Sequence, residues 1–112
     1  MSLSTQPIAL NFATKKEVTV TTSAGTSQSI GALSGPIQAR VANYDTARVA
    51  VLFGTQTAAN AITVAGSPTI PPSGVEVLTI VPNSDGTAVY WNVIGDTGAV
   101  GNKFEVTLGS GI

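Results

Sequence analysis

Apolar and polar residues alternate along most of this chain. Ile8, Leu10 and Phe12 are separated by Ala9 and Asn11. That two-residue period suits a half-buried strand, because successive side chains of a strand point to opposite faces. Pro7 fits the start of such a strand or a sheet edge. Residues 17–22 alternate too. In residues 37–43, Ile37, Ala39 and Val41 share one face and Gln38 and Arg40 the other. Residues 48–53 follow after an Asn43-Tyr44-Asp45-Thr46 turn, and the two runs are expected to pair as an antiparallel hairpin. Residues 61–64 read as a short strand, residues 75–81 are the strongest strand pattern, and residues 88–94 are apolar on both faces. Residues 103–108 turn Phe104, Val106 and Leu108 inward.

Between these runs lie turn signals: Ser34-Gly35-Pro36, Gly66-Ser67-Pro68, Pro71-Pro72-Ser73-Gly74, Asn83-Ser84-Asp85-Gly86 and the Gly-rich stretch 95–102. Residues 23–29 and 55–60 read as loops. No stretch carries a 3.6-residue period. About eight short strands at this spacing predict an all-β fold, an antiparallel β-sandwich of the jelly-roll-like kind. A Greek-key sandwich shares the same pattern. The domain reading is an N-terminal arm and first strand over residues 1–16 and a single sandwich domain over 17–112, without internal repeats.

Composition narrows the chemistry. Charged residues are 10% of the 112, against about a quarter in an average globular chain. Their place is taken by 15 Thr, 10 Ser and 12 Gly. Mean hydropathy of +0.32 is too apolar for a disordered chain. No apolar run approaches the roughly 18 residues of a membrane helix, and no signal-peptide pattern is seen, so no membrane partner is expected. Net charge is -1, and only Lys15 and Lys16 are adjacent cations. Nucleic-acid binding needs several clustered cations, so nucleic acid is not an expected partner. Without Cys or His, there is no disulfide, thiol nucleophile, ordinary zinc site or Ser-His-Asp triad. No cofactor motif occurs and no cofactor is expected.

The sharpest catalytic string is Asp96-Thr97-Gly98-Ala99, the signature of aspartic proteases, in which two carboxylates share a proton. Gly95 stands where that family has an apolar residue, and only 14 residues follow Gly98. A Gly-Asp-Thr-Gly between two strands is also ordinary loop chemistry. Asp85 in Asn-Ser-Asp-Gly is a single acid where calcium needs six to eight oxygens, so it reads as a turn residue. Arg40 and Arg48 flank the Asn43–Asp45 turn as a solvated pair, with Asp45 as a possible partner. Tyr90 and Trp91 are adjacent on a strand and so face opposite ways. One belongs to the core; the other packs on a partner or stacks on a sugar, and Tyr90 is the candidate for partner binding.

The order of segments is familiar. Val41-Ala42-Asn43-Tyr44-Asp45 precedes Val49-Ala50-Val51-Leu52-Phe53-Gly54-Thr55. Then come Ile70-Pro71-Pro72-Ser73-Gly74-Val75-Glu76-Val77-Leu78-Thr79-Ile80, Val93-Ile94-Gly95-Asp96-Thr97-Gly98 and Val106-Thr107-Leu108-Gly109-Ser110-Gly111. Over residues 37–111 this resembles small all-β head decoration (cement) proteins of tailed bacteriophages. The resemblance implies a non-enzymatic virion protein on the outer surface of the capsid, assembled in the host cytoplasm. Its partners would be the major capsid protein and further copies of itself, as a homodimer or homotrimer. Ile8, Leu10 and Phe12 are the expected anchors of the arm. The competing expectations are a phage head-fibre, tail or receptor-binding module, and a carbohydrate-binding β-sandwich.

Overall fold

Strands with one apolar side bury it most simply by facing a second set of such strands, and that is the arrangement found. The structure, a computed structural model, describes residues 14–109. Its strands are β1 (Thr14–Thr19), β2 (Gln28–Gly31), β3 (Ile37–Asn43), β4 (Val49–Gly54), β5 (Thr69–Ile70), β6 (Val75–Ile80), β7 (Val89–Gly95) and β8 (Lys103–Gly109), with one short helix, α1 (Gln56–Asn60), after β4. They form two four-stranded antiparallel sheets. Sheet A has the order β1-β8-β3-β6 and sheet B the order β2-β7-β4-β5.

The pairings explain the order. β1 pairs with β8, β2 with β7, β3 with β6 and β4 with β5, all antiparallel. These nested pairs are the rungs of one long hairpin whose tip lies between β4 and β5. Rolling that hairpin brings β8 against β3 and β7 against β4, which closes the two sheets. This wrap is the jelly roll.

The core lies between the sheets. Val41, Phe104 and Val106 from sheet A meet Val49, Val51, Val89, Trp91 and Val93 from sheet B, all nearly or fully buried. Trp91 is the core member of the aromatic pair; its ring stands 6.2 Å from Phe53 at a tilt of 32°, within the range where aromatic pairs attract.

One end of the sandwich is tied by buried polar groups. Asn43 Nδ2 donates to the carbonyls of Ala47, Ile70 and Pro71, and Asn43 Oδ1 accepts from Asp45 N. Asp45, 2% exposed, accepts from Ala47 N at 3.0 Å, Val100 N at 3.2 Å and Asn102 N at 2.9 Å. Two residues thus join the β3–β4 crossing to the β7–β8 crossing and to the chain after β5. Among the described residues, no buried side-chain nitrogen or oxygen lacks a partner.

Several sequence expectations are corrected. Residues 37–43 and 48–53 are not a hairpin: β3 and β4 lie in different sheets, because the chain crosses the sandwich at Tyr44–Arg48. Residues 61–64 are not a strand; the short strand pairing with β4 is β5 at Thr69–Ile70. Residues 56–60 form α1, capped by Thr55, whose hydroxyl accepts from Ala58 N at 3.2 Å. The loop expected over 23–29 ends early, since β2 begins at Gln28. The run expected at 17–22 pairs instead as β1 at 14–19, which spans the expected arm boundary. The strand expected at Ile8–Phe12 lies outside the described residues.

Candidate functional site

The outer faces of the two sheets are the surfaces available to a partner, and they are finished differently. On sheet B, Trp91 and Val93 point into the core, so Asn92 between them points outward. It is nonetheless buried, because α1 packs across β4 and β7. Asn92 Nδ2 donates to Ala59 O at 3.2 Å and to Gly25 O at 2.8 Å.

No helix packs over sheet A among the described residues, although Ala42 and Thr107 on its outer side are themselves buried. Its register sets Lys15, Thr107, Arg40 and Val77 in one row and Glu17, Glu105, Ala42 and Val75 in the next. The half built on β1 and β8 is charged. Glu17 stands directly opposite Glu105, a repulsive placement, and Lys15 lies between them, with Nζ 3.9 Å from Glu17 and 3.5 Å from Glu105. The half built on β6 is apolar: Val75, Val77 and, just past the strand, Val81 are 50%, 51% and 61% exposed. Tyr44, just past β3, lies beside the charged half. It is half exposed and its Oη donates to Glu105 Oε1 at 3.4 Å.

The residues singled out from sequence are not gathered on this face. Tyr90 is half-buried on the outer side of sheet B, opposite Ser29 and Gly54, so the sandwich separates it from the exposed valines. Ile8, Leu10 and Phe12 lie outside the described residues. The exposed face itself, Tyr44 with Val75, Val77 and Val81, was missed. A signal for it did exist: in 75–81 both alternating sets are largely apolar, with Glu76 the sole charge.

The candidate chemical groups occupy structural positions. Asp96 closes the turn after β7, where its Oδ1 accepts from Thr97 N, its carbonyl accepts from Ala99 N, and Gly98 adopts φ +100°. Arg48 Nε binds Asp96 Oδ2 at 2.6 Å. That bond, with the one from Thr97 N, lowers the pKa of Asp96, the opposite of what a carboxyl retaining a proton requires. Arg48 therefore pairs with Asp96 and not with Asp45, which is occupied by backbone N–H groups. Gly95 precedes the turn because a Cβ there would lie 2.6 Å from Val20 and 2.7 Å from Ala99. Asp85 binds the hydroxyl and amide of Thr87 in its own turn, which lowers its pKa. Among the described residues no three His, Cys, Asp or Glu gather to hold a metal ion. A cleft of about 230 Å³ beside β2 is lined by Val18 and Val93 together with Thr19, Thr21, Ser23 and Gln28, and carries no charged side chain. Comparison with known protein families, with curated proteins and with solved structures finds no match.

Proposed function

We propose that this chain is a non-enzymatic structural protein of a phage virion, a decoration protein that binds the outside of the head and steadies the lattice of the major capsid protein. The observation that carries the reading is the uncovered outer face of sheet A, apolar along β6 and charged along β1 and β8. The sequence resemblance over residues 37–111 supplies the partner. Exposed apolar side chains beside polar ones are the usual form of a protein-docking surface; here Thr79, which accepts from Gln38 Nε2, lies between Val77 and Val81.

The magnitudes decide how such a face works. Fully burying a valine is worth about 1.5–3 kcal/mol, so three half-exposed valines supply roughly 3 kcal/mol. Association costs about 4 kcal/mol or more in lost freedom. One copy docked by this strip alone would not stay bound. Copies linked to one another and docked on a symmetric lattice share that cost, and avidity does what one contact cannot.

Purified chain mixed with heads lacking it provides the test. It should sediment with them at a fixed ratio, compete poorly when Val77 is replaced by Asp, and raise the temperature at which the heads rupture. Absence of co-sedimentation, or binding that leaves the rupture temperature unchanged, overturns the reading.

A further inference from the structure

The four sheet edges are not equivalent. β1 carries Lys15, Lys16 and Glu17, β2 has four residues and an irregular register between Ser29 and Gly31, and β5 has two residues. Charge, bulging and shortness are the devices by which natural edges discourage pairing with another chain. β6 is six residues long, with Glu76 its sole charge, on the side of the strand away from Val75 and Val77.

We propose that β6 is a strand-addition site, and that its occupant is residues 7–13 of a second copy of this chain, which extend sheet A by a fifth strand. The segment has the required pattern. Ile8, Leu10 and Phe12 recur at the strand period, so one side of an added strand lies along Val77, Thr79 and Val81 or along Val75, Val77 and Thr79, while Ala9 and Asn11 fall on the side of Glu76. Residues 1–14 carry no charged side chain, so nothing in the segment repels that carboxylate.

The topology requires the donor to be another molecule. β1 and β6 are the two outer strands of sheet A, three spacings or about 14 Å apart. Phe12 lies two residues before Thr14, which is paired with Leu108 in β1, and two residues span at most about 7 Å. A strand that includes Phe12 cannot reach the β6 of its own molecule. Exchange also widens the face proposed to meet the capsid, and it links copies as avidity requires. The inference goes beyond the capsid reading and stands or falls without it, because its test contains no capsid.

Hydrogen exchange and sedimentation of the full chain across a range of concentrations provide that test, alongside the full-length variant carrying Ile8→Ser, Leu10→Ser and Phe12→Ser. As the chain is concentrated into dimers or larger species, the β6 amides that face away from β3 should slow about tenfold. The triple variant should remain monomeric with fast β6 exchange, and a synthetic peptide of residues 2–14 should restore protection to β6 and to no other edge. Three results overturn the proposal: β6 protection independent of concentration, self-association that protects a different edge, or β6 amides that stay fast at every concentration in the unaltered chain.

Discussion

The two outer faces of this sandwich start from the same strand alternation and end in opposite conditions. On sheet B the chain spends its longest connection, residues 55–68, partly as α1 laid over β4 and β7. The outward Asn92 is consequently 3% exposed and Ala59 fully buried. On sheet A the outward residues of the inner strands, Ala42 and Thr107, are also buried, but the outward Val77 of the edge strand β6 is half exposed, and the described residues bring nothing over it. The hydrophobic core does not account for the difference, since both sheets contribute buried apolar side chains to it. What the comparison teaches is where this fold has finished its own packing and where it has left apolar surface in water. Among the described residues, sheet B is covered by α1, while the β6 side of sheet A leaves apolar surface whose burial would lower the free energy.

Substitutions separate what both faces share from what one face has alone. The largest effect belongs to Asp45, which holds the crossings between the sheets and so supports both. Asp45→Ala leaves the buried N–H group of Ala47 and the partly buried N–H groups of Val100 and Asn102 without their acceptor. At about 1–3 kcal/mol for each unpaired group, partly relieved by water, the loss should be near 4 kcal/mol in denaturant unfolding. The same residue sets a pH dependence. Burial pushes its pKa up, but hydrogen bonds from the N–H groups of Ala47, Asn102, Val100 and Thr46 outweigh burial and leave it lowered. A carboxyl with a lowered folded-state pKa stabilises fully above its unfolded value of about 4 and loses that stabilisation as pH falls through the folded value. Asp85 and Asp96 act with the same sign in both proteins. The acid loss of stability should therefore be shallower in Asp45→Ala than in the unaltered chain, and equal slopes would refute this assignment.

Asn92→Ala comes next and acts on the covered face alone. It strips the carbonyls of Ala59 and Gly25 of their donor, at a cost of about 3 kcal/mol. Exchange should quicken in α1, β4 and β7 while β3 and β8 keep their relative protection. Thr55→Ala, which removes only the cap of α1, should cost about 1 kcal/mol and loosen the same cover without disturbing the sheet beneath. If either substitution loosens sheet A as much as sheet B, the two faces are not independent.

The inner faces were readable from sequence and the outer ones were not. Val41, Phe104 and Val106 follow from a period of two, which is set by strand geometry wherever the strand lies. The supposed hairpin of 37–43 and 48–53 shows the limit. Tyr44–Arg48 has turn composition, yet the buried Asn43 and Asp45 use that turn to cross between sheets, and no local pattern distinguishes a crossing from a reversal. In sequence α1 reads as part of a loop because its five residues are too few to show a 3.6-residue period. The exposed strip on β6 was concealed by its own strength. A strand apolar on both sides reads as central, and its place at an edge comes from long-range pairing with β3 alone.

The smallest effect is the sharpest test of the bare face. Val77→Thr keeps the β-branched shape and removes about one methyl group's worth of hydrophobic contact. Since Val77 is already half in water, the isolated chain should change by less than about 0.5 kcal/mol in unfolding. Buried against another chain, the same change should cost about 0.8 kcal/mol for each copy, roughly a fourfold loss of affinity per site that multiplies when several copies are engaged together. Unfolding of dilute chain and binding to heads should thus respond in different proportion. Were the dilute monomer itself destabilised by more than about 1 kcal/mol, Val77 would already be packed against part of its own chain. The contrast with Asn92, large in stability and confined to sheet B, would then disappear.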